Sequence, residues 1–156
     1  MTRVAYDAGR WGVGELWLHE GRVLEIEHPR PNRAAGGAHP LAVRLTAWFR
    51  GARDDFGDVE LELDWCTTFQ RALVEALRAV PYGETVTYGE LAALAGRPGA
   101  ARAAGTFCAR NRFAVVVPCH RVVGAQGLGG YGELGLRYKR RLLELETRGG
   151  KRRRAL

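Results

Sequence analysis

A cysteine, a histidine and an arginine are neighbours in the run Pro118-Cys119-His120-Arg121. The thiolate form of cysteine is its nucleophilic form, and a nearby imidazole or guanidinium can favour it. A thiolate is a soft nucleophile, suited to attack on a saturated carbon. The apolar residues 114–117 just before the run predict a short buried strand. A cysteine in that place is also commonly an inert buried thiol, so the run alone leaves both interpretations open.

A carboxylate for His120 is offered by the predicted helix over residues 137–147. Its inner face is marked by four large residues: Tyr138, Leu142, Leu143 and Leu145. Glu146 borders this face by its helical spacing, and a carboxylate there needs a partner. A Glu146–His120 contact would orient the imidazole and stabilise its charged form. The alternative is a glutamate at a fraying helix end.

Two short helices around a Gly/Pro turn are predicted between residues 87 and 110. Thr87 and Glu90 have the spacing of a capping box, and Gly96 ends the first helix. The second helix is rich in small residues: Ala100, Ala101, Ala103, Ala104 and Gly105. Arg102 is the long side chain among them. The pattern is typical of a helix-turn-helix whose smooth face enters a DNA groove, and equally of a helical hairpin packed in a core.

The rest of the chain predicts a change of character near residue 65. Before it, alternation predicts strands over 13–19, 23–27 and 59–63, with a hairpin turn at Glu20-Gly21 and a helix over 41–50. After it, a helical stripe begins at Phe69 behind a capping box of Thr67 and Gln70, and ends before residue 81.

Charge and composition narrow the function classes. The 156 residues carry a net charge of +7, which fits a polyanionic partner or a solvated basic surface. No apolar run reaches the roughly 18 residues of a membrane-spanning helix, and residues 1–7 lack a signal peptide's apolar core, so we expect an intracellular, cytoplasmic protein. Three cysteines without a Cys-x-x-Cys pair and four scattered histidines predict no disulfide framework and no structural zinc.

The run over 118–122 resembles the active-site motif of the O6-alkylguanine-DNA alkyltransferases (methylated-DNA–protein-cysteine methyltransferases). Other segments resemble the family in the family's order: Phe69-Gln70, 81–88, the Ala-Ala-Arg-Ala helix, 108–111, 129–131 and 139–143. The resemblance covers about residues 65–147. It implies an α/β (α+β) fold, with a small ribonuclease-H-like N-terminal sheet domain over 1–64. A mainly helical DNA-binding and alkyl-acceptor domain with a helix-turn-helix would cover 65–150, followed by a basic tail over 151–156.

The resemblance also implies roles in catalysis. Cys119 would accept an alkyl group from O6 of guanine and keep it, so that each molecule acts once without a cofactor. His120 would deprotonate Cys119 through a water, and Glu146 would hold His120. Asn111 would brace the turn that carries the cysteine, and Tyr88 would donate toward the guanine ring.

Contacts with DNA follow from the same resemblance. A monomer would bind double-stranded DNA through the minor groove and flip the damaged base out, with Arg102 filling the gap. The residues assigned to substrate or DNA are Arg102, Tyr88, Val122, Tyr131, Ala101, Ala103, Arg110 and Arg121. The loop over 124–130 is one residue shorter than in the family and forms a pocket wall there, so the accepted alkyl size and any action on O4-alkylthymine stay open.

Three other functions are compatible with parts of the sequence. The first is a lesion-binding relative that transfers nothing, although such proteins replace the cysteine. The second is a cysteine hydrolase built on Cys119, His120 and Glu146. The third is a helix-turn-helix regulator using Arg102 and Arg110.

Overall fold

The computed structural model describes residues 1–31, 33–147 and 153–154, which mix helix and sheet. The chain forms two compact units. The first comprises Met1–Glu62 together with Arg112–Val116, a segment that sequence patterns did not assign to it. The second comprises Leu63–Asn111 and Val117–Leu156. Among the described residues, none of the helices is both long and apolar enough to cross a membrane.

The first unit is built on a three-stranded antiparallel sheet, in the order β1 (Thr2–Asp7), β2 (Val13–His19), β3 (Arg22–Ile26). Alternate residues of β2 are buried, as the sequence pattern predicted. Glu20 and Gly21 both have positive φ, at 50° and 79°. This is the geometry that tight hairpin turns require, so the predicted hairpin is confirmed.

Helix α1 (Pro40–Phe49) supplies the other half of this unit's core. His39 caps it by accepting a hydrogen bond from the Leu41 N–H, and Pro40 occupies its first turn. Phe49 stacks on Tyr6 of β1 with ring centroids 6.1 Å apart. The predicted helix over 41–50 is therefore confirmed.

The strand predicted over 59–63 is wrong. This segment makes only one bridge, between Leu61 and Val23 of β3. Two backbone hydrogen bonds join the segment to Val23. The Val23 N–H donates to the Glu60 carbonyl, and the Val23 carbonyl accepts from the Glu62 N–H. The alternation of apolar and polar residues was misleading, because Leu61 can be buried through a single bridge without the repeated hydrogen bonds of a paired strand.

The second unit begins with three helices. They are α2 (Thr68–Arg78), α3 (Tyr88–Leu94) and α4 (Ala101–Ala109), with α3 packed against both neighbours. Thr67 and Gln70 form the predicted capping box of α2, and Thr87 and Glu90 that of α3. The predicted helices are thus confirmed.

A small parallel sheet and a long helix complete the second unit. Strand β4 (Glu84–Thr87) lies between β5 (Val122–Val123) and β6 (Arg153–Arg154), and α5 (Gly135–Thr147) precedes β6. The predicted basic tail is described only at Arg153–Arg154, and its remaining residues lie outside the described ones.

The strand predicted over 114–117 is also wrong. These residues are buried, but they form turns, and Val115 has a φ of 69°. The N–H of Val116 donates to the carbonyl of Ala114 across this turn. Uniform burial, and not strand pairing, explains the apolar run.

Candidate active site

Cys119 lies at the start of a single 3-10 turn, Cys119–Arg121, directly before β5. The N–H of Cys119 donates to the Val117 carbonyl over 2.8 Å. The Asn111 side chain, just after α4, donates to the same carbonyl over 2.8 Å. Asn111 therefore ties the end of α4 to the residues that lead into the cysteine turn, where a bracing residue would act.

Cys119 is buried, with 1% of the residue exposed. Burial raises the pKa of this thiol well above its ordinary value, and a hydrogen bond with the Cys108 side chain raises it further. The expectation that adjacent His120 and Arg121 favour the thiolate is wrong for the resting protein, because desolvation dominates. The thiol needs a base when it reacts.

A buried ionic cluster surrounds the carboxylate of Glu146. His120 Nε2 lies 2.8 Å from Glu146 Oε2, and Arg121 Nη2 donates to the same oxygen over 2.7 Å. The predicted contact between Glu146 and His120 is thus present. Burial opposes ionisation, but the His120 ring and the Arg121 guanidinium outweigh it and lower the pKa of Glu146 to about 2. Glu146 is a carboxylate at neutral pH.

His120 is neutral in this environment. Burial lowers the pKa of its imidazole, and this outweighs Glu146, which raises that pKa by stabilising the charged form as predicted. A neutral ring facing a carboxylate through Nε2 must carry its proton there and donate it. Nδ1 is then the basic nitrogen. This is the protonation state that a general base needs.

Arg121 does not have the DNA-contacting place assigned to it. Its side chain is buried, and its guanidinium donates to Glu146 and, over 2.8 Å, to the Val80 carbonyl. The ring of Tyr82 lies under it, 5.6 Å from the guanidinium carbon. A guanidinium engaged in this way cannot also bind phosphate, so Arg121 is a structural member of the buried cluster.

Tyr88 and the loop after β5 form a second cluster. The half-buried Tyr88 hydroxyl donates to the Gly130 carbonyl over 3.3 Å, and burial raises its pKa. A Cβ at Gly129 would lie 2.7 Å from the Tyr88 ring, and Gly129 has a φ of 78°. Only glycine permits this close approach.

Lys139 of α5 lies at the centre of this second cluster. Its ammonium donates to the carbonyls of Val122, Leu128 and Gly130, and it lies 3.3 Å from the Tyr88 hydroxyl. Sequence reasoning missed it. The available signal was helical spacing, since Lys139 precedes Leu142, Leu143 and Glu146 by three, four and seven residues, and all four are buried.

The remaining predicted residues are found at more open places. Tyr131 is partly buried and stacks on Tyr138, with centroids 6.4 Å apart. On α4, Arg102 and Ala103 are exposed, Ala101 is partly exposed, and Ala104 faces inward. Arg110, at the end of α4, is also exposed. Among the residues that the structure describes, no cluster of His, Cys, Asp and Glu could hold a metal ion.

Comparisons with known proteins match most of this chain. A family model described as the DNA-binding domain of 6-O-methylguanine DNA methyltransferase matches residues 68–148. Mycobacterium tuberculosis OGT, solved in complex with DNA, superposes with a TM-score of 0.78 at 39% identity, covering 95% of this chain and 94% of that one. O6-methylguanine-DNA methyltransferase from Pyrococcus kodakaraensis gives a TM-score of 0.71 at 26% identity, covering 92% and 97%.

One curated relative from another mycobacterium is closer in sequence. The methylated-DNA–protein-cysteine methyltransferase of Mycobacterium leprae is 52% identical over 113 residues. The match covers 70% of this chain and 66% of that protein, just under two thirds of its length.

Fold and site together define a mixed helix-and-sheet protein with a buried cysteine beside a histidine–glutamate pair. The family model covers more than half of the chain, and the solved relatives match nearly all of it. The chain belongs to the 6-O-methylguanine DNA methyltransferase family.

Proposed function

We propose that this chain repairs DNA by moving an alkyl group from O6 of a damaged guanine to Sγ of Cys119. The observation that carries the proposal is a buried cysteine followed directly in sequence by a buried histidine, whose Nε2 lies 2.8 Å from the Glu146 carboxylate. Its relatives are methyltransferases by name, and one of them was solved with DNA.

In the proposed reaction, each of the site's side chains has one role. His120 Nδ1 takes the thiol proton through a water, and Glu146 stabilises the resulting imidazolium. The sulfur–carbon bond forms as the carbon–O6 bond breaks. Tyr88 donates a hydrogen bond toward the guanine ring as negative charge develops on it. The guanine then takes up one proton as O6 becomes a carbonyl, which balances the proton that Cys119 gave to His120 and that the imidazolium releases. The product is a thioether with no easy hydrolysis, so each molecule acts once, with no cofactor.

The proposed DNA surface is centred on α4. A helix-turn-helix formed by α3 and α4 would bind as a monomer in the minor groove of duplex DNA, with exposed Ala103 permitting close approach. The exposed Arg110 would contact phosphate, which positions the protein without reading sequence. The damaged base would leave the stack and enter a pocket near Val122 and Tyr131. A ribonuclease-H-like N-terminal sheet is part of the same proposal.

Intact-protein mass spectrometry after incubation with a duplex that carries O6-methylguanine tests the proposal. We expect one methyl group per molecule, located on the peptide that contains Cys119. An unchanged mass with retained lesion binding would overturn the proposal in favour of a non-catalytic sensor. Product beyond one equivalent would instead indicate a hydrolase. The same measurement with larger alkyl groups would define what the 124–130 loop admits.

Arg102→Ala should slow transfer from duplex DNA about ten- to hundredfold, because nothing would fill the gap left by the flipped base. Transfer from the free base O6-methylguanine should be unaffected. Arg140→Ala, which removes another exposed charge, this one from α5, serves as the control and should change neither rate. Single-turnover rates on both substrates measure the effect, and an equal loss on both would contradict a role for Arg102 in extrusion.

A further inference from the structure

Arg97 is an exposed arginine in the turn between α3 and α4. Its N–H donates to the Ala92 carbonyl of α3 over 2.9 Å, and its own carbonyl accepts from the Ala100 N–H over 3.1 Å. Ala100 directly precedes α4. The backbone of Arg97 is therefore bonded both to the end of α3 and to the beginning of α4, which fixes its place beside α4.

The Arg97 side chain is oriented by an aromatic ring on another helix. Its guanidinium carbon lies 4.7 Å from the centroid of the Phe69 ring, near the beginning of α2. A guanidinium over an aromatic face is attracted by the ring electrons, and its N–H groups can still bind an anion. In the described part of the chain Arg97 has no ion pair, whereas Arg71 of α2 lies 3.6 Å from Asp64. The charge of Arg97 is thus held in place but not neutralised.

The segment that contains Arg97 is strongly basic. Residues 88–112 include one acidic residue, Glu90, and four arginines: Arg97, Arg102, Arg110 and Arg112. The Glu90 carboxylate accepts the Thr87 N–H in the capping box of α3. Arg97, Arg102 and Arg110 are all exposed in the second unit. Positive charge with so little opposing charge fits a polyanionic partner.

Arg97 and Arg110 lie at opposite ends of α4. The helix has nine residues, Ala101–Ala109, and at 1.5 Å per residue it spans about 14 Å. Arg102 lies in its first turn. A helix that enters a groove with a cation at each end can contact the sugar–phosphate backbone on both sides of that groove. Such contacts fix the position of a protein on DNA.

We propose that Arg97 is a DNA-binding residue, whose guanidinium contacts a backbone phosphate at the end of α4 opposite to Arg110. The inference rests on the proposed function for the surface that faces DNA. Phe69 is the positioning residue of this contact. It holds the arginine in advance, so that less side-chain freedom is lost when the phosphate binds.

The test measures the affinity of Arg97→Gln for an undamaged duplex by fluorescence anisotropy over a series of salt concentrations. One phosphate contact contributes about 0.9 to the slope of log affinity against log salt. We expect a slope smaller by about one, with affinity about eightfold weaker near 0.1 M salt and close to wild type near 1 M. Arg97→Lys should keep the full slope. Arg140→Gln, which removes an exposed charge from α5, is the control and should also keep it.

Phe69→Leu separates orientation from charge. Leucine keeps an apolar side chain on α2 but removes the aromatic face, while Arg97 remains. We expect an unchanged salt slope and an affinity about threefold weaker. In the Arg97→Gln background the same substitution should have no further effect, because the arginine that Phe69 orients is absent. Thermal melting of each variant reports whether the fold is retained.

Three outcomes would overturn the inference. They are a wild-type salt slope in Arg97→Gln, an equal loss from Phe69→Leu with and without Arg97, and a wild-type chain that binds no duplex. Methyl transfer separates this inference from the proposed function. Arg97→Gln should accept a methyl group from the free base O6-methylguanine at the wild-type rate. A wild-type chain that shows the Arg97-dependent slope but never accepts a methyl group would refute the proposed function alone.

Discussion

Cys119→Ala should abolish alkyl transfer while leaving affinity for duplex DNA unchanged. Only the sulfur can form the thioether, and its loss removes the whole reaction. The substitution does not alter the exposed face of α4, where Arg102 and Ala103 lie. The mass of the protein after incubation with O6-methylguanine DNA reports transfer, and fluorescence anisotropy with the same duplex reports binding.

Cys66→Ala is the matched control, since Cys66 is another cysteine of the second unit. This variant should still accept one methyl group. Loss of DNA binding in Cys119→Ala would show that the cysteine is structural. A methyl group found on Cys119→Ala would place the acceptor elsewhere.

Glu146→Gln should destabilise the protein by roughly 3 kcal/mol at neutral pH and also slow transfer strongly. The amide removes the charge that His120 and the Arg121 guanidinium face, and leaves the arginine buried without its counter-charge. Urea unfolding followed by circular dichroism measures the stability, and single-turnover kinetics measures the transfer. Glu144→Gln, the same change at an exposed site of α5, should have little effect on either.

The pH dependence of this loss has a defined sign. The pKa of Glu146 is about 2 in the folded protein against an ordinary value of 4.5, so its contribution is fully present above about 4.5. It declines as the pH falls from there toward about 2, because the unfolded chain takes up the proton first. The gap in stability between wild type and Glu146→Gln should therefore narrow on acidification below 4.5. A stability difference that does not change with pH would mean that Glu146 stabilises the fold through packing and not through its charge.

Local patterns predicted much of this structure. Capping boxes at Thr67 and Thr87 marked helix starts that the structure confirms, because their hydrogen bonds join residues three apart. The Glu20-Gly21 turn is equally local. Helical spacing placed Glu146 at the edge of an inner face and left two alternatives open, a contact with His120 or a fraying helix end. The structure has the contact.

The failures concern partners far apart in sequence. Arg121 was assigned to DNA because the sequence could not show that Glu146, 25 residues later, receives its guanidinium. Lys139 was overlooked because its acceptors lie in β5 and in a loop, and their carbonyls have no signature in the side chains. The strands predicted over 59–63 and 114–117 failed because alternation and apolarity report burial and not pairing.

Arg112–Val116 belongs to the first unit, although the second unit precedes and follows it in sequence. The two units therefore cannot be separated by a single cut in the chain. Phe113 forms a bridge with Ile26 of β3, and the N–H of Ala114 donates to the Ile26 carbonyl. A fragment that begins at Leu63 would carry Phe113 and its apolar neighbours without this cover, and its solubility would suffer. A truncation between Glu62 and Leu63 therefore separates Arg112–Val116 from the rest of the unit to which they belong.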